Sequence, residues 1–250
     1  MLRLLKALPI ALAVALSVFT TSCGSGGSAQ VRVVNAIPDN GANGSIPLDI
    51  WFNDNLIITA LGVNSVDPQP STPAKYLNVP SGNVTIVGYD TGTKSTPVVS
   101  NTGESGLNSS TQYTLLLGGF AVNPPQVYVI PDNNTPPPAN NVFLRIINGS
   151  ASEGANALSV YVYPVGQLPP ATPQFSGLTL GMSSSYTPLS FTTGQPAYVI
   201  EVTRANGTPI LFTHTLPGFS AGEIMTVVLD DLPGGAFINT TNPIVMIDLN

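Results

Sequence analysis

Cysteine, histidine and charge are all scarce in this chain of 250 residues, which carries one Cys, one His and 8% charged residues. A lone cysteine, Cys23, forms no internal disulfide. With His214 as the only histidine, the usual transition-metal ligand sets are not met. A Ser-His-Asp triad would need a serine and an acid beside that histidine, and no nucleophile-elbow sequence surrounds Ser190 or Ser220. An ordinary soluble domain is roughly 25% charged. So low a content excludes a coiled coil, a charge-rich disordered tail and a nucleic-acid module. The net charge of -6 also argues against a basic surface for polyanions. What is abundant is glycine and proline, 24 of each, with 43% hydrophobic residues, enough to build a core.

The N-terminus reads as an address. Arg3 and Lys6 precede an apolar stretch over 7–19, interrupted at Pro9 and Ser17, and Thr20-Thr21-Ser22-Cys23 follows. A basic start, a short apolar run and small residues describe a secretory signal peptide. At 1.5 Å per residue the apolar run covers roughly 20 Å, short of a hydrocarbon core of about 30 Å. A free thiol in an exported protein is a liability. The segment resembles a bacterial lipoprotein signal, in which the cysteine becomes the first mature residue and carries acyl chains. Ser22 fits that pattern, whereas Thr20 stands where leucine is usual, and ordinary cleavage, for example after Ala29, is the alternative. Acyl chains at about 0.8 kcal/mol per buried CH₂ anchor a protein firmly. By the same resemblance, the absence of Asp after Cys23 favours the outer membrane. Loss of residues 1–22 takes Arg3 and Lys6 and moves the net charge from -6 to -8.

A repeat runs through the remainder. Val-Arg-Val-Val-Asn-Ala at 31–36 answers to Leu-Arg-Ile-Ile-Asn-Gly at 144–149, with Arg and Asn offset by 113. Leu-Asp-Ile-Trp-Phe at 48–52 answers to Leu-Ser-Val-Tyr-Val at 158–162, and Tyr-Thr-Leu-Leu-Leu at 113–117 to Ile-Met-Thr-Val-Val at 224–228. Each half closes on another apolar run, at 127–130 and 244–247. The stretches 84–89 and 198–203 alternate as half-buried strands do, and turn sequences follow at 90–92 and 205–207. Short Val, Ile, Leu, Tyr and Thr runs between Gly, Pro, Asn and Ser clusters predict an all-β chain. Two tandem immunoglobulin-like antiparallel β-sandwich domains are expected, at 31–131 and 142–250. A signal peptide at 1–22 and a Gly/Ser tether at 23–30 precede them. Residues 132–141, with three consecutive prolines, form a semi-rigid linker.

The openings at 31–36, the strand at 48–52 and Val-Pro-Ser-Gly-Asn at 79–83 resemble the bacterial domain of unknown function 4397 family. The second half departs from it, having Phe-Thr-Thr-Gly-Gln at 191–195 in place of that turn. The resemblance implies exported, often lipidated chains with tandem sandwich units, and neither a catalytic site nor a substrate.

The carboxylates offer little chemistry. Asp230 and Asp231 are neighbours on a strand end and point to opposite faces. Glu201 is expected to face solvent. The 39–44 loop has the composition of a calcium loop, but Gly41 and Ile50 break the helix-loop-helix pattern. Turn chemistry accounts for it, as it does for Asp132-Asn133-Asn134, so no metal or cofactor is expected. Trp51, Tyr161 and Tyr163 are the candidate ligand-contact residues, with core packing as the default for such rings. A membrane β-barrel would need strands of about 9–11 residues and is disfavoured by the prolines.

The expected role is therefore a non-enzymatic cell-envelope lipoprotein, anchored through Cys23, acting as a surface binding, adhesion or scaffold module. Its partners would be the membrane, through the acyl chains, and another envelope protein or a polysaccharide, with no nucleic acid. A carbohydrate-binding or carbohydrate-processing accessory protein is the alternative.

Overall fold

The computed structural model describes residues 27–38, 47–69, 76–101, 105–120, 123–153, 156–191, 197–205, 207–232, 238 and 243–249. The signal segment, Cys23, the 39–44 loop and Asn206 lie outside the described residues. Within them the chain is all-β.

The first sandwich opens with β1 (Ser28–Asn35), β2 (Leu48–Phe52), β3 (Asn55–Leu61) and β4 (Ser65–Asp67). It continues with β5 (Leu77–Pro80), β6 (Gly82–Val84), β7 (Ile86–Asp90) and β8 (Pro97–Ser100). β9 (Ser105–Leu107), β10 (Gln112–Phe120) and β11 (Asn123–Pro131) complete it. The second sandwich begins with β12 (Asn141–Asn148), β13 (Leu158–Pro164), β14 (Phe175–Leu178) and β15 (Thr187–Ser190). β16 (Tyr198–Arg204), β17 (Ile210–Thr215), β18 (Ile224–Leu229) and β19 (Ile244–Leu249) follow.

In the first sandwich the sheet β11-β10-β1-β4, to which β5 adds on β1, faces the sheet β3-β2-β7-β8. Val31, Val33, Ile50, Phe52, Ile86 and Leu115 fill the space between them. In the second, β15-β12-β18-β19 faces β14-β13-β16-β17 over Leu144, Ile146, Val160, Ile200, Val202 and Val227. A third apolar cluster joins the two bodies. Val34, Leu116 and Ile130 of the first meet Ile147, Val228 and Met246 of the second. Alternate residues of one strand thus serve two cores: Val31 and Val33 point into the first sandwich, Val34 and Ala36 toward the second. The result is four stacked sheets, of which the two middle ones are buried on both faces along their central strands and reach solvent at the edge strands β5, β11 and β15.

Three details differ from what the sequence predicts. The sandwiches are not purely antiparallel, because β1 runs parallel to β10 and β12 parallel to β18. A parallel pair needs a long crossover, and here the chain passes through the facing sheet between the two strands. The two halves also correspond one residue away from the match of 113–117 with 224–228. Thr114 lies beside Arg32 and Thr226 beside Arg145, so Thr114 corresponds to Thr226. Stretch 84–89 divides at Thr85, where β6 leaves to pair β9 and β7 pairs β2.

Candidate functional site

The densest polar constellation lies between the sandwiches. β1 and β12 each turn one arginine toward the interface, Arg32 and Arg145, at 3% and 1% exposure. β11 and β19 run toward the same place, bringing Asp132, one residue past β11, and Asp248 of β19 with side chains 0% exposed. Arg32 Nη1 lies 2.6 Å from Asp248 Oδ1 and its Nη2 lies 3.3 Å from Asp132 Oδ2. Arg145 Nη2 lies 2.8 Å from Asp132 Oδ1 and 3.5 Å from Asp248 Oδ2. Each arginine therefore pairs with the aspartate of the other sandwich and more loosely with that of its own. Two positive and two negative charges cancel.

Hydroxyl donors complete the network with the same recurrence. Arg32 Nε donates to Thr114 Oγ1 and Arg145 Nε to Thr226 Oγ1, both at 2.9 Å. Thr114 donates to Asp132 at 2.8 Å and Thr226 to Asp248 at 2.6 Å. Tyr76, just before β5, donates to Asp132 at 2.8 Å; Tyr186, just before β15, donates to Asp248 at 3.2 Å. Their rings also face the guanidinium carbons, at 5.4 Å for Arg32 over Tyr76 and 4.6 Å for Arg145 over Tyr186.

The environment sets the protonation states. Burial alone would raise the Asp132 carboxyl, but Arg32 and Arg145 outweigh it and hold it below the usual carboxylate range. Burial alone would lower the Arg32 guanidinium, yet Asp248 and Asp132 hold it above its ordinary value. Burial, reinforced by Asp132, pushes the Tyr76 phenol up; burial pushes Tyr186 up, with Asp248 adding to the effect and Arg145 opposing it. Both phenols stay protonated donors at neutral pH. The side chains of the two arginines and two aspartates in the cluster are buried, and Tyr76 and Tyr186 are half-buried at its margin. Its chemistry is that of a clamp.

Asparagines at the ends of β1 and β12 repeat one another as well. Asn35 Nδ2 donates to the Leu61 carbonyl at 3.3 Å, and Asn148 Nδ2 to the Leu178 carbonyl at 2.9 Å. Each side-chain oxygen accepts the N–H two residues on, from Ile37 and Ser150. Asp231 is locked nearby, accepting from Ser150 Oγ, Ser152 Oγ and the Ala151 and Ser152 N–H groups at 2.5–2.8 Å. Burial raises its carboxyl against those bonds. Across the interface, Asn64 Nδ2 donates to the Asp231 carbonyl at 3.0 Å.

The aromatic candidates lie elsewhere. Trp51 on β2 is half-buried on the outer face of the first sandwich. Lys94 Nζ sits 4.0 Å from its ring centroid and 3.3 Å from Asp54. Tyr161 and Tyr163 of β13 share the outer face of the second sandwich, both half-buried, and Tyr163 donates to Glu201 at 3.3 Å. Glu201 faces outward, directly opposite Tyr161 in register. With sheets spaced about 10 Å apart, four layers put Trp51 roughly 30 Å from the two tyrosines. The structure joins Tyr161 with Tyr163 and separates both from Trp51. His214, on β17, is half-buried, and burial lowers its pKa. Among the described residues no three His, Cys, Asp or Glu side chains converge as a metal site.

A sequence profile described as Domain of unknown function (DUF4397) matches residues 29–161. The chain belongs to this family. The DUF4397 match starts in β1 and ends in β13, taking in Arg32, Tyr76, Thr114, Asp132 and Arg145 and stopping before Tyr186, Thr226 and Asp248. No curated protein shows significant similarity to the chain. Among solved structures, one described as "Alpha-glucan binding by a streptococcal virulence factor" is 12% identical, with a TM-score of 0.27, covering 86% of this chain and 96% of its own. Another concerns alpha-glucan recognition by family 41 carbohydrate-binding modules from streptococcal virulence factors. It is 15% identical, with a TM-score of 0.27, covering 83% of this chain and 95% of its own. Similarity this low carries no argument about what the DUF4397 chain binds.

Proposed function

We propose that this chain is a non-enzymatic lipoprotein of the bacterial cell envelope, in which two copies of one sandwich unit act as a rigid binding, adhesion or scaffold module. The clamp carries the reading. It commits the buried Arg32, Arg145, Asp132 and Asp248 to holding the sandwiches together, and leaves two outer sheet faces turned to solvent on opposite sides. A body of that kind spans and presents. The two-copy origin draws support from the recurrence of Arg, Asn, Thr, Asp and Tyr at corresponding places in both halves. Anchorage at the outer membrane draws support from the basic, apolar and small-residue order that ends at Cys23 and from Gly24 after it.

One face favours a second reading, that of a carbohydrate-binding accessory protein. Tyr161 and Tyr163, two apart on one strand, present rings on the same side, with the Glu201 carboxylate beside them as a hydrogen-bond acceptor, an arrangement suited to stacking on a sugar and accepting from its hydroxyls. Crosslinking on intact cells, followed by identification of the attached molecule, separates the readings. A protein adduct supports the scaffold and a polysaccharide adduct the accessory role, while a chain found wholly in the cytoplasm contradicts both.

A further inference from the structure

The clamp is nearly symmetric, but the apolar contacts around it are not. Ala36 follows β1 and Gly149 follows β12 at corresponding places, Ala36 N–H donating to Leu117 O at 2.9 Å and Gly149 N–H to Leu229 O at 2.7 Å. They meet each other across the interface. A Cβ on Gly149 would lie 2.9 Å from the Ala36 methyl and 3.3 Å from Leu116 Cδ1. It would also lie 3.1 Å from Leu229 O, but Ala36 already carries a methyl beside the corresponding carbonyl. The obstacle to a side chain at 149 is thus the partner sandwich.

A second asymmetry lies beside it. Tyr128 of β11 stands opposite Leu116, where Ile244 of β19 stands opposite Val228. The Tyr128 ring rests on Gly181, where a Cβ would come 2.1 Å from it. The corresponding place in the first sandwich is Asn64: Asn64 N–H donates to Asn35 O as Gly181 N–H donates to Asn148 O. Both residues are left-handed, with φ of 52° and 79°.

From these contacts we infer that the interface is selective for unlike sandwiches: a first sandwich accepts a second one as its partner and rejects another first one. Two first sandwiches brought together would set Ala36 against Ala36 and Tyr128 against Asn64, overlapping at both places. Two second sandwiches would set Gly149 against Gly149 and Ile244 against Gly181, leaving gaps. Only the unlike pair fills the space. The partner is the second sandwich of the same chain, so copies crowded on a surface do not join through their first sandwiches. The inference rests on the two-copy reading and is independent of the anchor at Cys23.

The full chain tests it by thermal unfolding. Gly149→Ala recreates the axis contact of two first sandwiches, Ala36→Gly that of two second ones, and the double exchange restores an unlike pair with its sides reversed. Gly149→Ala should lower the melting temperature by roughly 3–10 °C, Ala36→Gly by less, and the double exchange should recover more than half of the Gly149→Ala loss. If Gly149→Ala fails to fold, a double variant that folds supports the inference and one that also fails overturns it. A Gly149→Ala chain as stable as the wild type, or a double variant no better than Gly149→Ala, likewise overturns it. Membrane fractionation of the same variants tests the anchor separately.

Discussion

Arg32 of the first sandwich lies 2.6 Å from Asp248 of the second, and the reciprocal contact, Arg145 to Asp132, is 2.8 Å. An interface in which i meets j and j meets i has the form of a two-fold dimer contact, here within one chain. Removing one member leaves an uncompensated buried charge. Asp248→Ala or Arg32→Met should therefore destabilise the protein by about 3–5 kcal/mol. Replacing both arginines and both aspartates together by well-packed apolar residues should recover most of that loss, as read by urea unfolding. A single replacement without effect would mean that the charges are solvated in solution.

Acid should loosen the clamp. A carboxyl held below its unfolded value of about 3.9 stabilises the fold above that pH, and the contribution is lost as pH falls through the folded value. Asp132 is such a group. Asp231, raised by burial, has the opposite sign: it removes stability as pH rises above about 3.9 toward its folded value. The stability difference between wild type and Asp132→Asn should be greatest at neutral pH and shrink below about pH 4. A constant difference down to about pH 2, measured as urea midpoints, would show that Asp132 is not the acid-sensitive group.

The paired asparagines should behave alike. Asn35→Ala and Asn148→Ala each leave a buried carbonyl and a buried N–H without their side-chain partner, a loss of about 1–3 kcal/mol apiece. Denaturant unfolding of the two variants checks it, and a large loss at only one position would break the correspondence.

The strands, their grouping into two sandwiches and the opening Arg and Asn offset of 113 were legible in the sequence because apolar runs and turn clusters mark them directly. The clamp was not. Alternation identifies a buried face only when the other face is wet, and the central strands of the middle sheets, β1, β12 and β18, are buried on both faces over most of their length. Every residue of β18, Ile224–Leu229, is buried, and so are the last five of β1 and of β12. A continuous apolar run hides which residues look into a sandwich and which across the interface. The one-residue slip at Thr114 and Thr226 arose there. The available signal was an arginine in the middle of an apolar strand, Val-Arg-Val-Val and Leu-Arg-Ile-Ile, in a chain with only 7 Lys and Arg. Asp132 was obscured by its neighbours, since Asn133, Asn134 and the prolines read as a spacer. The spacer is in fact tied down: Asp132 enters the clamp, and Asn134 donates to Tyr76 at 3.1 Å.

For the outer face of the second sandwich, Tyr161→Ala and Tyr163→Ala should weaken retention on a panel of immobilised neutral polysaccharides roughly tenfold each, about 1.4 kcal/mol, with Trp51→Ala as the variant on the opposite face. Affinity electrophoresis measures it. Equal retention of all variants would remove the carbohydrate reading.

At the N-terminus, Cys23→Ser should move the mature protein from the membrane to the soluble fraction and abolish labelling by a radioactive fatty acid. Continued membrane retention with no label would place the anchor elsewhere.

The clamp makes the two sandwiches behave as one body, and calorimetry of the chain addresses that directly. A single transition is predicted, with calorimetric and van't Hoff enthalpies equal, and Asp248→Ala should broaden or split it. Two separate transitions in the wild type, unchanged by Asp248→Ala, would contradict the clamp.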